Sequence, residues 1–229
     1  MSEVGLRVLG IYDRQIFELC ENLGILQFGH DFRPKSLNFF QGYRFISMLN
    51  AANDPRYRYG LHYADEMDFA IQKMLFDIER ETDVQRKQLH LLFSDDRGRS
   101  YYGQFGLPFA WYFKSLKSFK ALIGDPLLTE VILDYSEIEF LHGQGKAVSV
   151  LKEIRQICSD RTDFHISLTV PWVPNLLSSL FDFFHFDLYL PSISPYVEKS
   201  YRLIDGAKLA QNIDSLRSLL PGARGIEFY

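Results

Sequence analysis

The feature that most constrains this chain is a rhythm. Short apolar runs alternate with longer amphipathic stretches along the whole sequence. Runs at 6–11, 25–32, 56–63, 85–93, 107–113, 130–134, 164–170 and 186–190 read as strands. The stretches at 13–23, 42–50, 67–81, 115–123, 147–158, 175–183 and 207–219 read as helices, with a shorter one after the polar loop 95–99 and a long loop after 130–134. In the first helix Ile16, Leu19, Cys20 and Leu23 fall at helical spacing, and Gly24 closes it. In the third, Phe69, Met74 and Ile78 give the expected apolar face. Strand and helix alternating at this period means parallel β-α-β units with right-handed crossovers. Eight units in 229 residues favour one α/β domain over 1–229, a closed (β/α)8 TIM barrel, over an open doubly wound sheet. No glycine-rich fingerprint follows the first strand, so a dinucleotide fold gains no support.

Charge and composition narrow the partners. Acidic and basic residues are intermixed and the net charge is −4, which leaves no basic stripe for nucleic acid. The segment 166–197 is rich in Leu, Phe and Tyr, but it carries Asp182, Asp187 and four prolines, unlike a membrane-spanning helix. The first residues show no basic stretch followed by an apolar run. A cytoplasmic protein without a membrane partner is therefore expected. Cys20 and Cys158 lack metal-type spacing. Two buried free thiols are expected, with a disulfide as the alternative. The 15% of aromatic residues reads as a bulky core, the alternative being an aromatic-walled pocket or an interface. The oligomeric state is left open.

Four local patterns, in order along the chain, carry more than composition. Arg7-Val8-Leu9-Gly10 lies on the first strand, and Gly29-His30-Asp31-Phe32-Arg33-Pro34-Lys35-Ser36 ends the second. Gln88-Leu89-His90 lies on the fourth, with Gly106-Leu107-Pro108 before the fifth. Val131-Ile132-Leu133-Asp134 is followed by Gly143-Gln144-Gly145-Lys146. In order and spacing these resemble the phosphoribosylanthranilate isomerase family, (β/α)8 barrels of tryptophan biosynthesis. That resemblance implies a cofactor-free Amadori rearrangement of a phosphorylated aminosugar, an aldose–ketose isomerisation, with no metal.

The resemblance also assigns positions. The general acid would be Asp134, at the C-terminal end of the sixth strand, the face where such barrels carry their sites. The general base falls at Leu9, which cannot carry a proton. The arginine that holds the substrate carboxylate falls at Asn38, whose amide cannot replace a bidentate guanidinium. Lys35, His90, Gly143 and Gly145 fall at substrate-binding positions. The glycine-rich phosphate loops after the seventh and eighth strands read Thr169-Val170-Pro171-Trp172 and Leu190-Pro191-Ser192-Ile193-Ser194. Proline donates no N–H, and tryptophan fills space. Four departures together point to a divergent member that has lost the ordinary isomerase activity, a pseudoenzyme or a barrel with an altered small-molecule ligand at its mouth. A working isomerase with relocated groups and a different enzyme at the same mouth are the alternatives.

The retained residues also have structural readings. Asp134 can cap a loop, Gly143 and Gly145 can serve turn geometry, and Pro34 and Lys35 can shape a loop. His30, His62 and His90, with Asp31 and Asp134, come near strand ends. Their convergence would make a metal or acid–base site, and separate histidines in a polar rim are the other reading. Asp134 is expected to pair with one of these histidines, Lys35 or a loop N–H, in a pocket otherwise walled by aromatic side chains.

Overall fold

The computed structural model describes residues 5–52, 54–176, 179–180 and 183–220. Eight strands form one closed parallel barrel in sequence order: β1 (Gly5–Val8), β2 (Gln27–Asp31), β3 (Arg58–Tyr63), β4 (Leu89–Phe93), β5 (Phe109–Tyr112), β6 (Leu128–Leu133), β7 (His165–Val170) and β8 (Leu188–Pro191). Helices α1 (Arg14–Asn22), α2 (Gly42–Ala51), α3 (Asp68–Glu81), α4 (Arg99–Gly103) and α5 (Leu116–Leu122) alternate with the first six strands. Two helices, α6 (Tyr135–Gly143) and α7 (Ala147–Ile157), separate β6 from β7. After β8 comes a short antiparallel pair, β9 (Glu198–Ser200) and β10 (Leu203–Ile204), and then α8 (Gly206–Leu219). The (β/α)8 expectation holds. The helix read at 175–183 includes residues 177, 178, 181 and 182, which lie outside the described residues.

Strand alternation divides the core into two parts. One set of side chains packs outward against the helices and includes Val8, Phe28, Tyr59, Leu61, Leu91, Phe93, Trp111, Val131 and Leu168. The other fills the barrel with Leu9, Leu92, Ala110, Ile132, Leu188 and Leu190. Two inward glycines make room for the two large leucines. A Cβ at Gly29 would stand 2.4 Å from Leu9 Cδ2, and one at Gly60 would stand 2.9 Å from Leu92 Cδ1. The aromatic residues are mostly core. Phe17, Phe28, Tyr57 and Tyr59 cluster in the outer layer, as do Phe93, Tyr102, Phe105 and Phe109. Cys20 and Cys158 are buried and free.

Several helices start where an oxygen-bearing side chain caps them. Asp13 accepts from Ile16 N–H, Ser115 from Ser118 N–H and Asp205 from Lys208 N–H. Two expectations need correction. The stretch after β6 is helix, not loop: Asp134 caps α6, and Gly145, at φ +69°, ends it. Gly145 N–H donates to His142 O and Lys146 N–H to Leu141 O, the paired bonds that close a helix through a left-handed residue. On α3 the buried face is Ile71, Leu75 and Ile78, at i, i+4 and i+7, whereas Phe69 is exposed. Phe69 sits two residues before Ile71, about 200° around the helix, so it cannot share that face.

Below the apolar inner layer lies a buried polar one. Arg7 holds Glu130 through both carboxylate oxygens, at 3.1 and 3.0 Å, and reaches Gln27 Oε1 at 3.2 Å. His90 Nδ1 stands 3.5 Å from Glu130 Oε2, and its Nε2 is 3.0 Å from Thr129 Oγ1. Burial alone would raise the Glu130 pKa, but the charge of Arg7, with His90 and Ser167, holds it below the usual carboxylate range. Removing one member of such a pair strands a buried charge, at a cost of about 3–5 kcal/mol. Urea unfolding of Arg7→Met should therefore show a loss of that order. Arg7→Met combined with Glu130→Leu should recover most of it. A double variant no more stable than the single one would refute the pairing.

Candidate functional site

The C-terminal mouth of the barrel opens into a cavity of about 730 Å³, a size that suits a small-molecule ligand. Its floor is apolar, built from Leu9, Gly29 and Leu190. Its walls carry Asp31, Arg33 and His62 on the side of β2 and β3, and Tyr112 and Lys114 after β5. Asp134, Ser136, Glu139 and Thr169 stand on the far side. β2 and β6 are four strands apart in an eight-strand ring, so Asp31 and Asp134 stand across the mouth from each other.

On the first wall Arg33 grips Asp31 with two bonds, Nε to Oδ1 at 2.9 Å and Nη2 to Oδ2 at 2.6 Å. Burial would raise the Asp31 pKa, but the hydrogen bonds and charge of Arg33 hold it below the ordinary carboxylate value. His62 lies flat on Tyr112, with ring centroids 4.8 Å apart and planes 6° from parallel. Burial first, and the Arg33 charge second, push its imidazole down to about 3, against the pull of Asp31. The ring is thus neutral at physiological pH. Its Nε2 is buried without a hydrogen-bond partner. Burial pushes the Tyr112 phenol up, so it too is neutral.

On the opposite wall Asp134 caps α6. Its Oδ1 accepts from Ser136 N–H at 2.9 Å and from the Ser136 hydroxyl, and its Oδ2 accepts from Thr169 Oγ1 at 3.4 Å. Its backbone partner is thus an N–H of the α6 first turn, not of a loop as expected, and no histidine and no lysine bonds to Asp134. Beside it the two phosphate-loop positions are tied to each other. Trp172 is buried, and its Nε1 donates to Ser192 O at 2.9 Å. Ile193 N–H is spent on Leu9 O at 2.9 Å, and Leu9 N–H on Pro191 O at 2.8 Å. An anion site at a strand end needs free N–H groups aimed at one point. Here a proline, an indole and strand-like pairing occupy that corner.

The remaining candidates disperse. Leu9 lines the cavity floor as an apolar residue. Asn38 does not line the cavity. Its Nδ2 donates to Ile193 O at 2.7 Å beside Gly10, where a Cβ would stand 2.3 Å from that nitrogen and where φ is +74°. It ties the loop after β2 to the loop after β8. Lys35 is exposed and outside the cavity lining, and Gly143 and Gly145 lie at the far end of α6, also outside it. His90 belongs to the polar layer under the apolar floor, not to the mouth. It pairs with Gly60, two residues before His62, so it sits about 7 Å lower along the barrel. His30 faces outward among Phe40, Phe45 and Tyr59, with Nδ1–H donating to Ile11 O at 3.1 Å. The three histidines therefore make no common site. Among the described residues no group of three or more His, Cys, Asp or Glu side chains is placed to hold a metal ion. The expectation of aromatic walls is corrected as well: the mouth has Tyr112 and Tyr135, and its other linings are polar or aliphatic. Arg33, Tyr112 and Lys114 were not singled out from the sequence. Strand parity would have pointed to the last two.

No family model matches this chain, and no curated protein matches it. Solved structures do. Phosphoribosylanthranilate isomerase from Thermotoga maritima superposes with a TM-score of 0.66 at 12% identity, over 97% of this chain and all of that one. The Thermus thermophilus enzyme gives 0.61 at 14% identity, over 93% of this chain and 99% of that one. An HpcH/HpaI aldolase from Desulfitobacterium hafniense also gives 0.61, at 9% identity, over 97% of this chain and 95% of that one. The chain is thus a (β/α)8 barrel similar over its length to phosphoribosylanthranilate isomerase structures, and similar as well to a barrel of another reaction class. No helix among the described residues is long and apolar enough to cross a membrane.

Burial keeps three histidines neutral. His30 and His62 are held down to about 3 and His90 to about 4, each mainly by burial. An unfolded histidine titrates near 6.5. Each folded value lies below its unfolded value, so the unfolded state binds protons first as pH falls. Their stability contribution is complete above about pH 7 and is lost from about 6.5 downward, on the order of 2 kcal/mol per histidine by pH 5. Urea unfolding at pH 7 and pH 5 should show that drop, with uptake of about three protons per molecule at the lower pH. Equal stability at both pH values would contradict the burial of these rings.

Proposed function

We propose that this protein is a phosphoribosylanthranilate isomerase-like barrel that has lost the Amadori isomerisation and holds a different small ligand at its mouth. The observation that carries this reading is the state of the first strand end. The position where the resemblance puts the general base is Leu9, packed into the apolar floor against Gly29. A positioned acid or base typically supplies about 10²–10⁴-fold in rate, and no side chain at this strand end can take up a proton. Asp134, at the acid position, is engaged as a helix cap. The Trp172–Ser192 bond occupies the corner where a phosphate would be held.

A different reaction at the same mouth is the second reading. It is favoured by His62, a neutral imidazole on the cavity wall whose ring makes no hydrogen bond to the protein. The aldolase likeness supports it too, because one barrel hosts many chemistries through its loops.

The test is complementation of a tryptophan auxotroph that lacks the isomerase. The chain alone should not restore growth without tryptophan. Leu9→Cys combined with Asn38→Arg should not restore it either, because the phosphate corner stays closed. Robust growth from the unaltered chain would overturn the reading.

A further inference from the structure

The charges of the mouth do not suit a phosphorylated ligand. Arg33 is already spent on Asp31 through two bonds. That leaves Lys114 as the one lining cation without an ion pair among the described residues, against two carboxylates, Asp134 and Glu139. The lining therefore carries a net negative charge. A phosphate monoester brings about −1.5 to −2 more at neutral pH. With the Ile193 N–H committed to Leu9 O and the Trp172 indole on Ser192 O, such a group would enter against the local field and lose hydration without full replacement.

What the mouth offers instead is hydrogen bonding to neutral groups. His62 is more than nine-tenths buried and lines the cavity; its Nε2 is covered, and its ring makes no hydrogen bond to the protein, which leaves Nδ1 as the atom a ligand would meet. A ring nitrogen left unpaired favours a ligand or water that pairs with it. Ser94, Thr169, Ser192 and Asn175 add hydroxyl and amide groups around the rim. Tyr112, stacked on His62, gives a flat face that can accept the C–H side of a ring.

We propose that the mouth binds a small unphosphorylated polyol of neutral or positive charge, such as a free sugar or an aminosugar. Asp134 accepts from its hydroxyls on one wall, and His62 hydrogen-bonds it on the other. The proposal rests on the closed phosphate corner of the preceding section but not on the loss of isomerase activity, so the two can fail separately.

The test is isothermal titration of the whole chain with ribose, glucose and glucosamine, each at up to 10 mM, and with ribose 5-phosphate and glucosamine 6-phosphate. At least one unphosphorylated sugar should bind, and its phosphate ester at least tenfold more weakly. Asp134→Asn retains a good helix cap, and it should weaken the binding tenfold or more with little change in melting temperature. His62→Gln should do the same. If either variant unfolds, Thr169→Val replaces it as a probe of the Asp134 wall. Preferred binding of the phosphate esters, no binding of any free sugar in the panel, or binding unchanged in stable variants would each overturn the proposal.

Discussion

In a closed parallel ring every strand residue must face either the barrel interior or the helices, and the choice alternates along the chain. This constraint decides what the candidate residues can do. His30 and Asp31 are sequence neighbours and both border the cavity, yet the His30 ring packs among Phe40, Phe45 and Tyr59 while Asp31 is held by Arg33 on the wall of the mouth. On β3 and β4 the inward residues are Gly60, His62, His90 and Leu92, and their height in the barrel then sets their roles. His62 is high enough to meet the cavity. His90 is one layer lower and serves the Arg7–Glu130 pair. The apolar layer of Leu9, Leu92, Ile132 and Leu190 separates the two, so the lower charges act on stability and not on a ligand.

The corner between β7 and β8 follows from the same geometry. Loops leaving adjacent strand ends run side by side, and their backbone groups must find partners. In many barrels of this fold those groups are left for a phosphate. Here Leu9, Pro191 and Ile193 extend the strand pairing one step further, and Trp172 covers Ser192 O. Asn38 then locks the outer side of the same corner. The β9–β10 hairpin braces it from the other flank. Arg202, at φ +57°, places its guanidinium 4.2 Å from the Tyr12 ring, and Tyr12 donates to Glu198 at 2.8 Å. The closing of this corner is thus the joint packing of several loops and not the work of one residue.

The barrel was legible in the sequence because its signal is periodic and repeated eight times. The helix after β6 was not, because the apolar pattern of Tyr135–Gly143 is weak. What makes it a helix is local: Asp134 at its cap, Glu137 in the first turn and Gly145 at its end. Two glycines that fall at substrate-binding positions by resemblance turn out to end a helix. The placement of Leu9 and Asp134 at the mouth could be read from their strand ends. That the His30 ring packs outward and that His90 lies below the floor could not be read, since a shift of one residue turns a side chain to the other face and a shift of two lowers it by a layer. The Arg33–Asp31 clamp sat inside a motif read for its proline and lysine, and its short-range geometry went unnoticed.

The central claim is that the phosphate corner is closed by the chain's own groups. Crystals grown or soaked in concentrated inorganic phosphate test it most directly. The account predicts no anion between the loops after β7 and β8, with the Trp172 indole still on Ser192 O. A phosphate held there by backbone N–H groups of residues 172–173 and 192–194, with Trp172 displaced, would contradict it.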